Sequence, residues 1–247
     1  MRKSYAKVSK LNAVALAVAL GSSAAVVSPA ANAGASGNIG LWSKYVLRGI
    51  TNSPENDNAA VQGGFDWSGD SGVYLGYWGS SLSYADAGKS NGFENDFYGG
   101  WAGKAGPLDV SLGAIYYKYI NISNADGFEI NPTVGYMGVT LGAKYLTKDV
   151  TWGNKGDTYW TLSYSHDLPA GFSLSGLLGY YTYKDSGKYI SSSKESSAFR
   201  DLDLTLSHPI GNSGADMNAT YIVGGKDRDG NSQDNTVVFS LTYGFDI

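Results

Sequence analysis

The chain has 247 residues and is acidic, with 22 Asp and Glu against 18 Lys and Arg, and it contains no cysteine. Its length suits one large β domain or two small ones. The acidic balance argues against a nucleic-acid partner, and the lack of cysteine excludes disulfides, thiol catalysis and cysteine-ligated zinc. Glycine (34) and tyrosine (19) are abundant, a composition that suits a transmembrane β-barrel better than a soluble domain.

Residues 1–33 have the features of a cleaved secretory signal peptide. A basic group precedes an apolar run over 11–27, and the tripeptide Ala-Asn-Ala follows at 31–33. The basic group consists of Arg2, Lys3, Lys7 and Lys10. An uncleaved anchor helix is the alternative, but the apolar run is short for a membrane span. We therefore expect one mature domain, 34–247, with a net charge of −8, because 18 − 4 = 14 basic residues remain against 22 acidic ones.

Apolar and polar residues alternate with period two along the mature chain, as they do in strands with two different faces. The stretch NIGLWSKYVLRG (38–49) places Tyr45 and Leu47 on one face and Lys44 and Arg48 on the other. Most such segments have about nine to eleven residues, the length of a tilted strand that crosses a bilayer. Twelve segments are predicted in chain order, at 38–49, 59–68, 72–80, 94–104, 108–119, 128–136, 139–148, 158–166, 172–183, 199–208, 215–224 and 235–247.

The connections between these segments alternate in length. Those after even-numbered strands are short, such as Met-Gly at 137–138, and those after odd-numbered strands are long, such as 184–198. Outer-membrane barrels have short periplasmic turns and longer extracellular loops. A soluble β-sandwich or lectin would share the period of two, but it predicts neither this alternation nor the Tyr and Trp near the ends of the apolar faces. We predict an all-β, transmembrane antiparallel up-and-down barrel of about 12 strands in the outer membrane of a Gram-negative bacterium, with membrane lipid around it.

The last predicted strand carries apolar residues at every second position from Val237 to Ile247. This resembles the C-terminal signal by which the barrel-assembly machinery recognises outer-membrane proteins, so we expect that machinery to be a partner. The signal usually ends in Phe or Trp, whereas this chain ends in Ile247.

The first three predicted strands resemble the TorF family of porin-like proteins, also called the Gcw_chp family of proteobacteria. The family motifs are Ser-x-Tyr-Val-x-Arg-Gly, Gln-Gly-Gly and Gly-x-Tyr-x-Gly-x-Trp-Gly-Ser. The matching residues are Ser43, Tyr45, Val46, Arg48, Gly49, Gln62, Gly63, Gly64, Gly72, Tyr74, Gly76, Trp78, Gly79 and Ser80. The chain departs from the family pattern at Leu47, often aromatic, and at Ala59, often proline. The resemblance implies an outer-membrane β-barrel of the porin type and names no solute.

Two features of other protein classes are present in the sequence. His166 and His208 lie beside predicted short turns on the lipid-facing parity. A barrel phospholipase would need a Ser–His pair at the outer leaflet, and no serine is so placed, so we interpret both as interfacial residues of a protein that is not an enzyme.

The stretch 227–234 resembles a calcium loop, but its glycine is Gly230, at the fourth position, and its twelfth position is Val238. We therefore predict a solvated loop, with no metal and no cofactor.

The polar parity of the strands defines a predicted lumen with five basic and eight acidic residues. These charges either pair across strands and plug the barrel or line an aqueous path, and twelve strands lie between filled and open barrels. If the first hairpin folds symmetrically about Glu55, Lys44 faces Asp66 and Arg48 faces Gln62. The candidates for lining or constricting the lumen are Lys44, Arg48, Gln62, Asp66, Glu94, Asp96, Glu129, Lys144, Lys148, Asp201 and Asp203.

We therefore predict a porin-like channel for passive diffusion of small polar solutes, with a weak preference for cations because acidic residues outnumber basic ones in the lumen. The alternative is a non-conducting barrel that acts through its extracellular loops as an adhesin, receptor or structural protein. The long predicted loops 81–93 and 184–198 motivate that alternative.

Overall fold

The computed structural model describes residues 34–52 and 58–247, so the predicted signal peptide lies outside the described residues. Twelve antiparallel strands form a closed barrel in which each strand pairs with its neighbours in sequence and β1 pairs with β12. The strands are β1 (Gly34–Trp42), β2 (Ala60–Ser68), β3 (Val73–Ser81), β4 (Phe93–Ala105), β5 (Leu108–Ile120), β6 (Gly127–Tyr136), β7 (Val139–Leu146), β8 (Thr158–Asp167), β9 (Ser173–Thr182), β10 (Ser197–Pro209), β11 (Ala215–Gly224) and β12 (Thr236–Asp246). The predicted fold class and strand number are confirmed. Within the described residues, no helix is long and apolar enough to cross a membrane.

The connections divide the barrel into two different ends. Short turns over 69–72, 106–107, 137–138, 168–172 and 210–214 lie at one end, here called the turn end. Loops L1 (43–52 and 58–59 as described), L2 (82–92), L3 (121–126), L4 (147–157), L5 (183–196) and L6 (225–235) lie at the other, here called the loop end. This confirms the predicted alternation, and by the rule for outer-membrane barrels the loop end is extracellular.

The outer wall of the barrel is apolar, as the period of two predicted. Large side chains such as Leu75, Leu112 and Phe239 are 58%, 58% and 62% exposed although they belong to regular strands. In a soluble protein such surfaces would be buried, whereas in a bilayer they face lipid. The last strand closes the barrel with its apolar face outward, because Leu41 of β1 lies opposite Leu241 of β12.

The first strand departs from the prediction. It ends at Trp42 instead of continuing to residue 49, and the chain then turns into the barrel. Tyr45 and Leu47, predicted to face lipid, are only 1% and 9% exposed. Further along, Arg48 (φ 47°) and Gly49 (φ 68°) adopt the left-handed conformation, so the backbone of 43–49 does not have the geometry of the predicted continuous strand.

The predicted register of the first hairpin is wrong for the same reason. Since the strand ends early, Lys44 and Arg48 have no partners in β2. The residues that actually lie opposite Asp66 and Gln62 are Ser36 and Gly40.

Candidate functional site

The turn-end half of the lumen is lined by small polar side chains that solvent reaches. On the inward-facing parity, residues such as Asn38, Thr133, Ser163, Ser175 and Thr242 are half-buried. Their strand neighbours on the other parity are the apolar residues of the outer wall. Other inward-facing residues, such as Thr205, Asn218 and Thr220, are buried, so solvent reaches part of this half, which we call the vestibule because short hydroxyl and amide side chains fill little of a barrel's cross-section.

The loop-end half of the lumen is packed. Residues 43–50 leave the barrel wall and fold inward, and we call them the inward segment. Tyr45 and Val46 of this segment join a buried cluster with Trp78, Ile115 and Ile222 from the surrounding strands. The cluster therefore packs protein into the loop-end half of the lumen, where the turn-end half has mostly small polar side chains.

Arg48 anchors the inward segment to the far wall of the barrel. Its Nη1 and Nη2 atoms donate to Oε1 and Oε2 of Glu129 on β6 at 2.9 and 2.6 Å. The hydroxyl of Tyr181 accepts from Nη1 at 2.7 Å, and that of Tyr117 lies 3.1 Å from Nη2. The guanidinium carbon also lies 5.2 Å from the ring centroid of Tyr159. The bidentate carboxylate, two hydroxyl acceptors and the aromatic ring face together compensate most of the buried guanidinium, and only its Nε makes no hydrogen bond among the described residues.

A second anchor holds the start of the segment. Tyr45 donates from its hydroxyl to Oε2 of Glu94 at 2.5 Å, and Tyr119 donates to Oε1 of the same carboxylate at 2.7 Å. Glu94 and Asp96 on β4 are 0% and 3% exposed. Lys144 on β7 is close enough to interact electrostatically with both, so its positive charge partly balances the two carboxyl groups.

Strand β10 supplies a third group of lumen charges. A break in its register with β9 lies between Phe199 and Asp201, so that Arg200 and Asp201 are both buried. The Nε of Arg200 donates to the backbone carbonyl of Arg48 at 2.7 Å, and the Tyr159 hydroxyl lies 2.9 and 3.0 Å from the two carboxylate oxygens of Asp201. The bulge therefore contributes a cation that fixes the inward segment and leaves the strand's carboxylates on the lumen side.

The structure brings most of the predicted lumen residues into the barrel. Besides the residues described above, Gln62 is 2% exposed and Asp203 is 5% exposed. Asp66 lies nearer the turn end, where its Oδ1 accepts from the hydroxyl of Tyr98 at 2.5 Å. Lys44 sits at the loop end, with Nζ 3.1 Å from Oγ1 of Thr236.

The prediction that Lys148 faces the lumen is wrong. Strand β7 ends at Leu146, two residues earlier than the alternation indicated, and Lys148 lies exposed in L4. Parity no longer determines the direction of a side chain once the strand has ended.

Several lumen residues were missed at the sequence level. They are Tyr45, Tyr117, Tyr119, Tyr159, Tyr181 and Arg200. The inward tyrosines gave no signal, because tyrosine is also common on the lipid-facing rims. Arg200 could have been predicted to face the lumen. Strict alternation from Asp201 and Asp203 would place its charge in lipid, which is unfavourable. A β-bulge avoids this by shifting the parity of the strand at that residue.

The loops over the packed region form one connected layer. Arg228 of L6 pairs with Asp157 of L4 and donates to the hydroxyl of Ser193 of L5 at 3.0 Å. In the stretch 227–234, which resembles a calcium loop in sequence, each carboxylate oxygen of Asp227 accepts a hydrogen bond from Asn231. Within residues 34–52 and 58–247, no group of three or more His, Asp or Glu is arranged to hold a metal ion.

Both histidines lie near the turn end outside the lumen, as predicted. His166 stacks on Tyr164, with ring centroids 6.3 Å apart, and His208 packs against Phe172 at 4.4 Å. Nε2 of His208 lies 3.2 Å from the carbonyl oxygen of Ala170. These contacts are those of interfacial aromatic residues.

The closed barrel, its apolar outer wall and its polar lumen define an outer-membrane β-barrel protein with the fold of porins and outer-membrane channels. The family profile described as "Bacterial protein of unknown function (Gcw_chp)" matches residues 26–245. The chain belongs to that family, which confirms the Gcw_chp resemblance.

Two solved structures show the same fold at low sequence identity. The KdgM porin is 9% identical, with a TM-score of 0.55 over 85% of this chain and 99% of its own. The COG4313 outer membrane channel from Pseudomonas putida F1 is 9% identical, with a TM-score of 0.54 over 92% of this chain and 100% of its own. A comparison with curated proteins finds no match.

Proposed function

We propose that this protein is an outer-membrane channel through which small polar solutes diffuse passively, and that the inward segment forms its constriction. The observation that carries the proposal is the polar, solvent-reached vestibule in the turn-end half of the lumen. A barrel with a purely structural or loop-borne role has no need of a half-lumen lined by hydroxyl and amide groups. Two proteins of the same fold are described as a porin and an outer membrane channel, which supports the same conclusion.

The constriction is a consequence of the Arg48 anchor. As long as Arg48 is held by Glu129, the inward segment fills the loop-end half, and a solute passes only when the segment shifts. We therefore expect low or intermittent conductance from the wild-type protein. Removing both charges together, in Arg48→Ala/Glu129→Ala, avoids an unpaired buried charge and weakens the anchor, so we expect the conductance to increase severalfold.

Single-channel recording in planar bilayers tests the proposal. A matched control is Lys104→Ala/Asp109→Ala, which removes an ion pair of 2.5 Å at the turn end whose side chains are 62% and 39% exposed. The control should conduct like the wild type. If folded wild type and the Arg48→Ala/Glu129→Ala variant both give no conductance steps, the channel proposal fails.

Two further measurements, surface binding and phospholipid turnover, address the non-conducting alternative and the predicted lack of enzymatic activity. A silent barrel that binds a surface through its loops would support the adhesin or receptor hypothesis. A His166→Ala/His208→Ala variant should show the same phospholipid turnover as the wild type, namely none above background, if neither histidine acts in catalysis.

A further inference from the structure

A pocket with a volume of about 340 Å³ lies at the turn end, between the turn over 168–172 and the end of β10. By the rule for outer-membrane barrels this end faces the periplasm. Its polar lining residues are Asp167, Ser173, Ser207, His208 and Asp216, and its apolar ones include Leu168, Phe172 and Pro209. A lining that combines carboxylates with apolar side chains suits a ligand that is itself partly charged and partly apolar.

The two carboxylates of the pocket are not bonded to the protein. Among the described residues, the side chains of Asp167 and Asp216 make no hydrogen bond and no ion pair. Asp167 is exposed, and Asp216 is half-buried near the start of β11. Both carboxylates therefore have oxygen atoms available to accept hydrogen bonds from a bound group.

The net charge of the pocket is negative in either state of its histidine. Nε2 of His208 lies 3.2 Å from the carbonyl oxygen of Ala170, a contact that a neutral imidazole with its proton on this nitrogen satisfies. The two carboxylates and a neutral His208 sum to −2, and a protonated His208 leaves −1.

No lysine or arginine of the described residues compensates this charge. Among 34–52 and 58–247, only Lys104 of these two residue types lies near the turn end. Lys104 belongs to β4, which is six strands from β10 in both directions around the barrel, and it pairs with Asp109 at 2.5 Å. The pocket is therefore an acidic site on the opposite side of the barrel from the one cation of its level.

Ser207 gives a second, independent indication of a ligand. The residue is only 4% exposed, and its Oγ atom has no hydrogen-bond partner among the described residues. A buried hydroxyl without a partner costs free energy, so such a group is expected to meet a bound molecule or ion. Because Ser207 lines the pocket, a ligand with a hydrogen-bond donor would supply the missing partner.

The pocket is reached from two sides. Ser173, Ser207 and Asp216 lie on the inward parity of their strands, at the edge of the vestibule. His208 has the outward parity and packs against Phe172, which is 38% exposed. Aromatic residues at this level meet the headgroups of the periplasmic leaflet. A ligand can therefore arrive from the water of the vestibule or from the lipid headgroups.

From these observations we infer that the pocket is a binding site for an organic ammonium ion, carried either by a dissolved amine or by the headgroup of a lipid. An ammonium group has three donors and no acceptor, so it matches two carboxylates and a hydroxyl. The apolar side chains and the ring of Phe172 suit the carbon chain of an organic cation, which an inorganic ion lacks. The site does not depend on whether the barrel conducts.

Carbon-13 NMR of the folded barrel in maltoside micelles tests the assignment. The two probes are butylammonium and dihexanoyl phosphatidylethanolamine, each labelled at the carbon bonded to nitrogen, and the line width is followed as protein is added. Butanol labelled at its first carbon is the control ligand, because it has the same chain without the charge. We expect saturable binding of at least one amine, and binding of butanol weaker by about tenfold or more. Binding of the lipid alone or of butylammonium alone supports the site and identifies the source of the ammonium group.

Two variants test the residues of the site. Asp167→Asn/Asp216→Asn removes both charges with little change in size and should weaken binding by about tenfold or more. Ser207→Ala removes only a hydroxyl and should weaken binding by about twofold to fivefold. Diffuse attraction to an acidic surface does not produce that second effect, because no charge changes.

The control variant is Asp70→Asn/Asp246→Asn, which removes the same charge from exposed turn-end positions that do not line the pocket. It should bind as the wild type does. Equal weakening in both aspartate variants would mean diffuse attraction and would overturn the site, as would equal binding of butanol or unchanged affinity in Ser207→Ala. Absence of saturable binding of both amines to the wild type would overturn it as well. Far-ultraviolet circular dichroism of each variant verifies that the barrel is folded.

Discussion

Arg48 and Glu129, 81 positions apart in the chain, form a bidentate ion pair inside the barrel, with side chains only 5% and 1% exposed. The pair joins the segment after the first strand to the sixth strand, so it spans the lumen instead of linking neighbouring strands. As a result, the inward segment is held inside the loop-end half of the lumen, next to the buried cluster that contains Tyr45 and Val46.

Replacing one member of this pair should be more harmful than replacing both. Glu129→Ala leaves a buried guanidinium without its carboxylate, and such a loss costs about 3–5 kcal/mol. Arg48→Ala/Glu129→Ala leaves no charge unpaired and should cost less than Glu129→Ala alone. Urea unfolding in lipid vesicles, followed by tryptophan fluorescence, measures both free energies. The exposed ion pair between Lys104 and Asp109 gives the reference, because Lys104→Ala should lower the free energy of unfolding by less than about 1 kcal/mol.

The glycine at position 179 allows the carboxylate of Asp201 to sit beside the Tyr159 hydroxyl. A Cβ atom added at Gly179 would overlap Asp201 Oδ1 and the hydroxyl of Tyr159. We expect Gly179→Ala to destabilise the barrel by about 1–3 kcal/mol, as overpacking does. Gly244 is the matched control, because a Cβ there meets nothing within 4 Å. The same unfolding experiment compares the two variants, and equal stability would contradict the packing described for β9 and β10.

Much of the fold could be predicted because lipid imposes a strict rule on every strand. Most outward residues must be apolar, so the period of two persists from β2 to β12 and the strand boundaries follow it closely. After Trp42 the same period gives a wrong prediction of strand, because Tyr45, Leu47 and Arg48 continue the alternation although the strand has ended. Only the left-handed backbone at Arg48 and Gly49 distinguishes the inward segment, and a hydrophobic pattern carries no information on backbone handedness.

The candidate site could be predicted residue by residue but not as a set of contacts. Arg48, Glu94 and Glu129 were identified as lumen residues by parity, yet parity does not say which of them meet across the barrel. Those pairings depend on the closure of the barrel and on the depth to which the inward segment reaches. The contribution of Arg200 depends on a bulge, which shifts the parity of the strand at one residue.

The lumen carboxylates should give the open channel a preference for cations. Asp201 and Asp203 are buried on the lumen side of β10, and Asp201→Asn/Asp203→Asn removes both carboxyl groups with little change in size. We expect the ratio of cation to anion permeability to fall in this variant. Reversal potentials in a salt gradient measure this permeability ratio. The recordings use the Arg48→Ala/Glu129→Ala background, because its expected conductance is higher. The control is Asp185→Asn/Asp229→Asn, which removes two carboxylates from exposed loop positions at the mouth of the barrel. A preference for anions in the Arg48→Ala/Glu129→Ala channel itself would contradict the expectation.

The junction between L4 and L5 should loosen only in strong acid. The backbone N–H groups of Lys155 and Lys188 donate to Asp149 and hold its pKa below the usual 3.8. Because the folded-state pKa is the lower one, this contribution is present in full above the unfolded-state pKa and is lost as the pH falls through the folded-state value. Hydrogen exchange of the two amides, corrected for intrinsic rates, should therefore show equal protection at pH 7 and pH 5. Asp149→Asn should lower that protection at pH 7 by removing the charge, while Asp185→Asn, an exposed position in L5, should not. Unchanged protection in Asp149→Asn would mean that the carboxylate does not hold the two loops together.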